Sequence, residues 1–181
     1  PFHPDRMYGV GKLLAEGLFQ AAGRELGFRV GALRIGHVFG PFEHVASVTH
    51  EARADRLIPM LIRRCLADEP VTLFGSGDDL RDYVHSFDVA QAVLLAILRA
   101  ADGEYLIGSG RSVAIREVFE AVSSAVGRRP EVDLRPRNGP KLDYRIDIEA
   151  ARRTLGFEPL VSLAKGLAHE LEWMRRTGVH V

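Results

Sequence analysis

Apolar positions recur along this chain with two alternating periods. Leu13, Leu14, Leu18, Ala21 and Ala22 fall at helical spacing, predicting a helix over residues 6–26 with Asp5 as its N-cap and Gly27 as its stop. Residues 28–35, F-R-V-G-A-L-R-I, are short, apolar and β-branched enough for a buried strand, and G-H-V-F-G-P after them reads as a turn or loop. Residues 42–56 are polar and read mostly as loop. Leu57 to Leu66 reads as a helix, with Pro59 tolerated near its start, and Val71 to Phe74 as a short strand closed by Gly75-Ser76-Gly77. An apolar helix opens at Ser86 or Asp88 and runs to about Ala100. A strand over Glu104 to Ile107 follows, then a helix over Ile115 to Val126, with Ser112 as a candidate cap and Gly127 as its stop. The pattern ends with a strand at Val132 to Leu134, a loop over 135–142, and helices at Ile148 to Leu155 and Leu163 to Arg176. Short strands alternating with helices predict an α/β fold.

Composition narrows the function classes. The 181 residues are 46% hydrophobic, enough for one core or for one and a fragment of another. The 24 basic and 24 acidic side chains cancel, so the overall basic footprint of a nucleic-acid or anionic-membrane binder is absent. No apolar run approaches the ~18 residues of a membrane-spanning helix. The opening P-F-H-P-D has neither the basic nor the apolar region of a signal peptide, and the expectation is a cytoplasmic protein. Cys65 is the single cysteine and is expected in the core; with His44 and His50 at no ligand-type spacing, no metal site is predicted.

Four segments carry candidate chemistry. In Tyr8-Gly9-Val10-Gly11-Lys12, positions i and i+4 share a helix face, so the phenol and the ammonium project together. The ammonium favours phenolate, which suits such a tyrosine to exchange a proton with a sugar or alcohol hydroxyl. A solvated lysine beside a half-buried tyrosine would read the same way. Gly9 and Gly11 each cost a helix about 1 kcal/mol, which a close backbone or ligand contact would explain. In R-I-G-H-V-F-G-P, Arg34 to Pro41, the loop lies where α/β sheets bind ligands, outside a strand's carboxyl end, although a plain turn is the alternative. In Thr72 to Ala90, a glycine-rich turn leads to Arg81, suited to phosphate unless Asp82 is its surface partner, and Asp88 reads as a cap. Arg135 and Arg137 sit in R-P-R-N-G-P, either clamping a diphosphate or solvated.

In order, the chain shows a Y-x-x-x-K helix, R-x-x-x-V-F-G-P, P-V-T-L-F-G-x-G, R-D-Y-V-H-x-x-D-V-A, then L-G-F-x-P and a last helix with Trp173. This order resembles the extended short-chain dehydrogenases/reductases, in particular the NAD-dependent epimerase/dehydratase family that includes the UDP-glucose 4-epimerases. The resemblance covers essentially the whole chain. It implies the C-terminal part of a Rossmann-type, doubly wound sheet plus a small α/β substrate-binding domain. Residues 1–41 would end the dinucleotide-binding domain. Residues 42–181 would form mainly the substrate domain, with about 82–108 returning to the Rossmann sheet. It implies NAD, or NADP, as cofactor, a nucleotide-sugar substrate, and a homodimer packed through the Tyr/Lys helix.

Carried onto this sequence, the resemblance makes Tyr8 the acid/base and Lys12 the ligand of the nicotinamide ribose. Gly36, His37 and Val38 would run beside nicotinamide and substrate. Leu57 and the Thr72, Leu73 and Phe74 stretch would cover the nucleotide base, largely by backbone contacts, and Arg81 and Arg137 would bind the diphosphate. His37 stands where the family has Asn, and Pro140 where it often has a ribose-binding Asp. No G-x-G-x-x-G fingerprint occurs among the 181 residues, so the expectation is a C-terminal portion short of the glycine-rich start by on the order of a hundred residues, and inactive alone. The other reading is a non-catalytic nucleotide-sugar-binding module without a cofactor half. The sequence leaves epimerase, dehydratase and reductase open.

Overall fold

The structure, a computed structural model, describes residues 7–42, 57–137 and 139–178. The expected Asp5 cap and nearly all of the expected 42–56 loop, with His44 and His50, lie outside the described residues. In chain order the elements are α1 (Met7–Leu26), β1 (Gly31–Ile35), β2 (His37–Phe39), α2 (Leu57–Ala67), β3 (Val71–Phe74), β4 (Leu80–His85) and α3 (Ser86–Leu98). They continue with β5 (Gly103–Ile107), β6 (Ser112–Ala114), α4 (Ile115–Val126), β7 (Val132–Arg135), α5 (Glu149–Leu155) and α6 (Leu163–Thr177). The stops expected at Gly27 and Gly127 both adopt positive φ, 77° and 78°.

Three strand groups organise these elements. β1 pairs in parallel with β5, from Gly31 opposite Gly103 to Ile35 opposite Ile107. β2 runs parallel to β4, with His37 opposite Tyr83, and β4 runs antiparallel to β6. β3 runs parallel to β7. Parallel partners need long crossovers, which here carry the helices. Strands β2, β4 and β6 correct the sequence reading. G-H-V-F-G-P is a strand followed by a turn, and Ser112 is in a strand that ends in the N-cap of α4, Ala114. β2 and β6 are three residues each, too short for a period to register, and β4 buries the charged Arg81 and Asp82, so its sequence shows no apolar alternation. Residues 28–30 lie outside β1 for a related reason: α1 turns back there, with the Phe28 amide donating to the Gly23 carbonyl.

Two apolar cores separate the described residues. One gathers Ile58, Leu61, Ile62 and Cys65 of α2, Val71 and Leu73 of β3, Val118, Phe119 and Val122 of α4, and Leu167, Leu171 and Met174 of α6. The spacing within each helix is the i, i+3, i+4 stripe read from sequence. Each such side chain contributes about 1.5–3 kcal/mol on burial. Cys65 lies fully inside this core beside the Ser123 hydroxyl, and burial pushes its thiol up, which leaves it inert. The other core joins Ala92 of α3, Tyr105 and Ile107 of β5, and Ile148, Ala151, Leu155 and Phe157 around α5. α1 is different: Gly23 is its one buried residue, and Leu14, Leu18 and Phe19 face outward.

Candidate functional site

Tyr8 and Lys12 do share one face of α1. The Lys12 ammonium stands 5.4 Å from the centre of the Tyr8 ring, and Tyr8 is 78% exposed. An ion-pair fork fixes the helix that carries them. Arg34 of β1 donates from Nε and Nη2 to the two carboxylate oxygens of Glu16, at 3.0 and 2.6 Å, and its Nη2 also lies 2.8 Å from Glu104 of β5. The guanidinium holds the Glu16 carboxyl below the ordinary carboxylate range. The contact expected at the helix glycines is not made at Gly11 within this chain: a Cβ there meets nothing within 4 Å.

Gly36, His37 and Val38 lead from the carboxyl end of β1 into β2. Gly36 is a place of close crossing: an added Cβ would overlap Ile146 Cδ1, while its amide donates to the Ile107 carbonyl. The His37 ring lies 5.6 Å from Tyr83 and 6.3 Å from Tyr144, and Val38 is exposed. Leu57 opens α2 and packs against the first core. On β3, Leu73 is buried in that core while Thr72 and Phe74 alternate outward, so Leu73 offers only its backbone.

The arginines are engaged by the chain itself. Arg81, 9% exposed, donates to the carbonyls of Leu80 and Leu142 and stacks on Tyr144 with its guanidinium carbon 5.1 Å from the ring centre. Asp82 is not its surface partner. Strand alternation turns the two side chains to opposite faces, and Asp82 is fully buried, accepting from the amide and hydroxyl of Ser109 at 2.7 and 2.8 Å and from the Ile146 amide. Arg137 is neither solvated nor paired with Arg135 as a clamp. It bridges Asp78 and Asp79 of the G-S-G-D-D turn, while Arg135 folds onto Asp133. Asp88 also differs from expectation. His85 is the N-cap of α3, its Nδ1 accepting from the Phe87 amide, and the buried Asp88 carboxylate receives the amides of Leu160 and Val161.

Arg81, Tyr144, His37 and Tyr83 thus form one contiguous cationic and aromatic row, with Arg137 joined to it through Asp79 and Leu142. Sequence reasoning missed Tyr144; an aromatic residue in the polar 141–147 stretch, soon after the R-P-R-N-G-P loop, was the available signal. It also missed Glu16, whose spacing of two helical turns from Tyr8 marks the same side of α1. Among the described residues, no three His, Cys, Asp or Glu side chains gather as metal ligands, and no helix is long and apolar enough to cross a membrane.

Parallel strand pairs crossed by helices, with a Tyr/Lys pair on an exposed helix, place this chain in a well-populated class of α/β folds. It superposes on UDP-glucose 4-epimerase from Thermotoga maritima, solved with UDP-glucose, with a TM-score of 0.84 and 31% identity over 97% of this chain and 55% of that one. It superposes on the Thermus thermophilus enzyme of the same name, solved with NAD, with a TM-score of 0.81 and 29% identity over 97% and 56%. Among curated proteins, a dTDP-glucose 4,6-dehydratase from Streptomyces niveus is 28% identical over 178 residues, 97% of this chain and 50% of that protein. The profile of the NAD dependent epimerase/dehydratase family matches residues 1–108, and the chain belongs to that family. It spans about half the length of the relatives it matches.

Proposed function

We propose that this chain is the part of an NAD(P)-dependent nucleotide-sugar epimerase or dehydratase that carries the tyrosine/lysine pair and the substrate side. The carrying observation is the exposed Tyr8 hydroxyl with the Lys12 ammonium one turn along the same face. The residues present fit the nicotinamide end of the cofactor. Tyr8 and Lys12 are open, Gly11 leaves room beside them, and Gly36 to Val38 continue the carboxyl end of β1. Lys12 would hold the nicotinamide ribose beside the Tyr8 hydroxyl. When bound, the nicotinamide supplies a hydride acceptor and donor. Tyr8 takes the proton of the sugar hydroxyl as the carbon is oxidised and returns one as it is reduced.

The row of Arg81, Tyr144 and His37, with Arg137 beside it, fits the diphosphate and sugar of the substrate. The core that contains α3, β5 and α5 belongs in this reading to the cofactor side, and the core of α2, β3, α4 and α6 to the substrate side. The outward apolar face of α1 is suited to a second copy. An exposed Tyr8 and Lys12 favour catalysis over a module that only binds nucleotide sugar, because binding alone has no use for the pair.

The test is to purify the intact protein, assay it for bound NAD, and incubate it with UDP-glucose and dTDP-glucose. Conversion of either sugar supports the reading. Tight nucleotide-sugar binding with neither NAD nor conversion would replace it with the binding module.

A further inference from the structure

Four buried polar atoms that the proposed chemistry does not use sit on the elements packed around Gly40, the residue after β2. They are His85 Nε2, Ser86 Oγ, His169 Nδ1 and Glu170 Oε2, and none has a hydrogen-bond partner within the protein. They arrive from three elements: the end of β4, the start of α3 and the middle of α6. Gly40 places them. Its φ is 120°, and an added Cβ would stand 2.7 Å from His85 Nε2 and 3.0 Å from Ser86 Oγ. The Gly40 backbone lies near enough to the Glu170 carboxyl to favour its ionised form slightly, against the larger effect of burial. Gly166 closes the other side, where a Cβ would meet Phe39 and His85. The His85 and His169 rings lie 5.4 Å apart.

The donors and acceptors complement each other. His85 Nδ1 accepts from the Phe87 amide, so the proton of a neutral imidazole sits on Nε2 and points a donor at the Gly40 turn. Glu170 Oε2 is an acceptor when ionised and a donor when protonated, and Ser86 Oγ is both. His85 is 0% exposed and Glu170 1%, so neither atom reaches bulk solvent. A buried polar group left without a partner is costly, and four together multiply that cost. Complementary groups around one point, without direct bonds between them, are the setting in which a bound water makes three or so hydrogen bonds.

We propose that His85, Ser86, His169 and Glu170 enclose a buried hydration site at Gly40 that holds one exchangeable proton and fastens α6 to the turn at the end of β2. The charged and titratable groups facing it are His85 from β4, Asp88 from α3, and Lys165, His169 and Glu170 from α6. Asp88 is spoken for by the Leu160 and Val161 amides. Burial pushes Glu170 up to about 7, from an ordinary 4.5, and pushes His85 down, with His169 and Lys165 adding to the fall and Asp88 opposing it. Below about pH 7 the site therefore carries its proton on Glu170, while burial disfavours a charge on His85. Glu170 binds its proton more tightly folded than unfolded. Its share of stability is complete below about pH 4.5 and is lost as pH rises through about 7. His85 works in the opposite sense, losing stability as pH falls below 6.5. With both acting, the junction is firmest in weakly acidic solution.

Two measurements on the intact protein test this. A high-resolution crystal structure is expected to show ordered water within hydrogen-bond distance of at least two of the four atoms. A dry site, or His85 bonded directly to Glu170, overturns the proposal. Thermal unfolding of wild type and Glu170→Gln, followed from about pH 6 to about pH 8, is expected to show a midpoint that falls by several degrees in wild type and stays level in the variant. Parallel curves overturn the proton assignment. Should Glu170→Gln not fold, the wild-type imidazole nitrogens read by NMR decide: His85 as the Nε2–H tautomer at neutral pH supports the site, and the Nδ1–H tautomer overturns it.

Discussion

Arg81 and Arg137 are linked through two residues, Leu142 and Asp79. Arg81 donates to the Leu142 carbonyl, and the Leu142 amide donates to Asp79, which also receives Arg137. Moving either guanidinium therefore disturbs the other through one short stretch of backbone. In the proposed enzyme both arginines face a diphosphate, yet Arg137 already carries two carboxylates, Asp78 and Asp79, with Lys141 nearby on Asp78.

This arrangement predicts competition between the aspartates and the substrate. Neutralising Asp78 as Asp78→Asn releases half of the hold on Arg137 without touching the Leu142 link. Nucleotide-sugar affinity, read by calorimetry on the intact protein, is expected to rise several-fold, and Arg137→Ala to lower it about tenfold or more, the weight of a charge-assisted phosphate bond. Should both variants bind as wild type does and only the melting temperature change, Arg137 is a staple between the G-S-G-D-D turn and β7.

Tyr8→Phe removes one oxygen from a side chain that is almost wholly exposed. Stability is expected to stay within about 0.5 kcal/mol, the range of surface changes. Turnover is expected to fall by about 10²–10⁴, the usual weight of a general acid/base. Lys12→Met should lower turnover as well and weaken NAD binding, because the proposed ribose contact is lost. An unchanged turnover in Tyr8→Phe removes the acid/base role.

Much of this was open to reading in the sequence, for a physical reason. Amphipathic helices of eleven residues or more repeat their period often enough to be seen, and α1, α2, α3, α4 and α6 stand within a few residues of where the pattern puts them. Tyr8 and Lys12 are local to one helix, so four residues of spacing are enough to bring them together. β2 and β6 are three residues each and leave no such trace, and β4 was hidden because it buries the charged Arg81 and Asp82 instead of an apolar run. Long-range polar pairing was hidden too. Nothing in R-D-Y says that Asp82 will be buried under Ser109, or that Arg137 will find Asp78 and Asp79 about sixty residues upstream, because those partners are set by the parallel register of β3 with β7 and the antiparallel register of β4 with β6.

Gly36 offers a test of packing at the start of β2. A methyl group there overlaps Ile146 Cδ1, and the next contacts, at 3.5 and 3.6 Å, are ordinary. Gly36→Ala is expected to destabilise by about 1–3 kcal/mol, the range for overpacking. Ile146→Val removes the one clashing atom, so the double variant should recover a large part of that loss. Equilibrium unfolding of the two single variants and the double closes a mutant cycle. Additive losses would show that Gly36 is required for some reason other than Ile146.

The Arg34–Glu16 fork predicts how α1 responds to acid. Arg34 holds the Glu16 carboxyl below its ordinary 4.5, so Glu16 takes up a proton more readily unfolded than folded. Its contribution is complete above about pH 4.5 and disappears as pH falls through its lowered value, the reverse of Glu170. Glu120, Glu158, Asp78 and Asp143 are lowered in the same way, so the acid loss of wild type is shared among them. Glu16→Gln isolates the fork: its unfolding midpoint should lie below wild type at pH 6 and converge toward it as pH falls below 4.5. The pair is partly buried, with a second carboxylate on Arg34, so about 1 kcal/mol at pH 6 is the expected size. Because the fork is what ties α1 to the β1–β5 pair, hydrogen exchange along Met7–Leu26 should speed up in the variant more than exchange along α4. Equal protection of α1 in both proteins would mean that something other than Arg34 holds the Tyr8 helix in place.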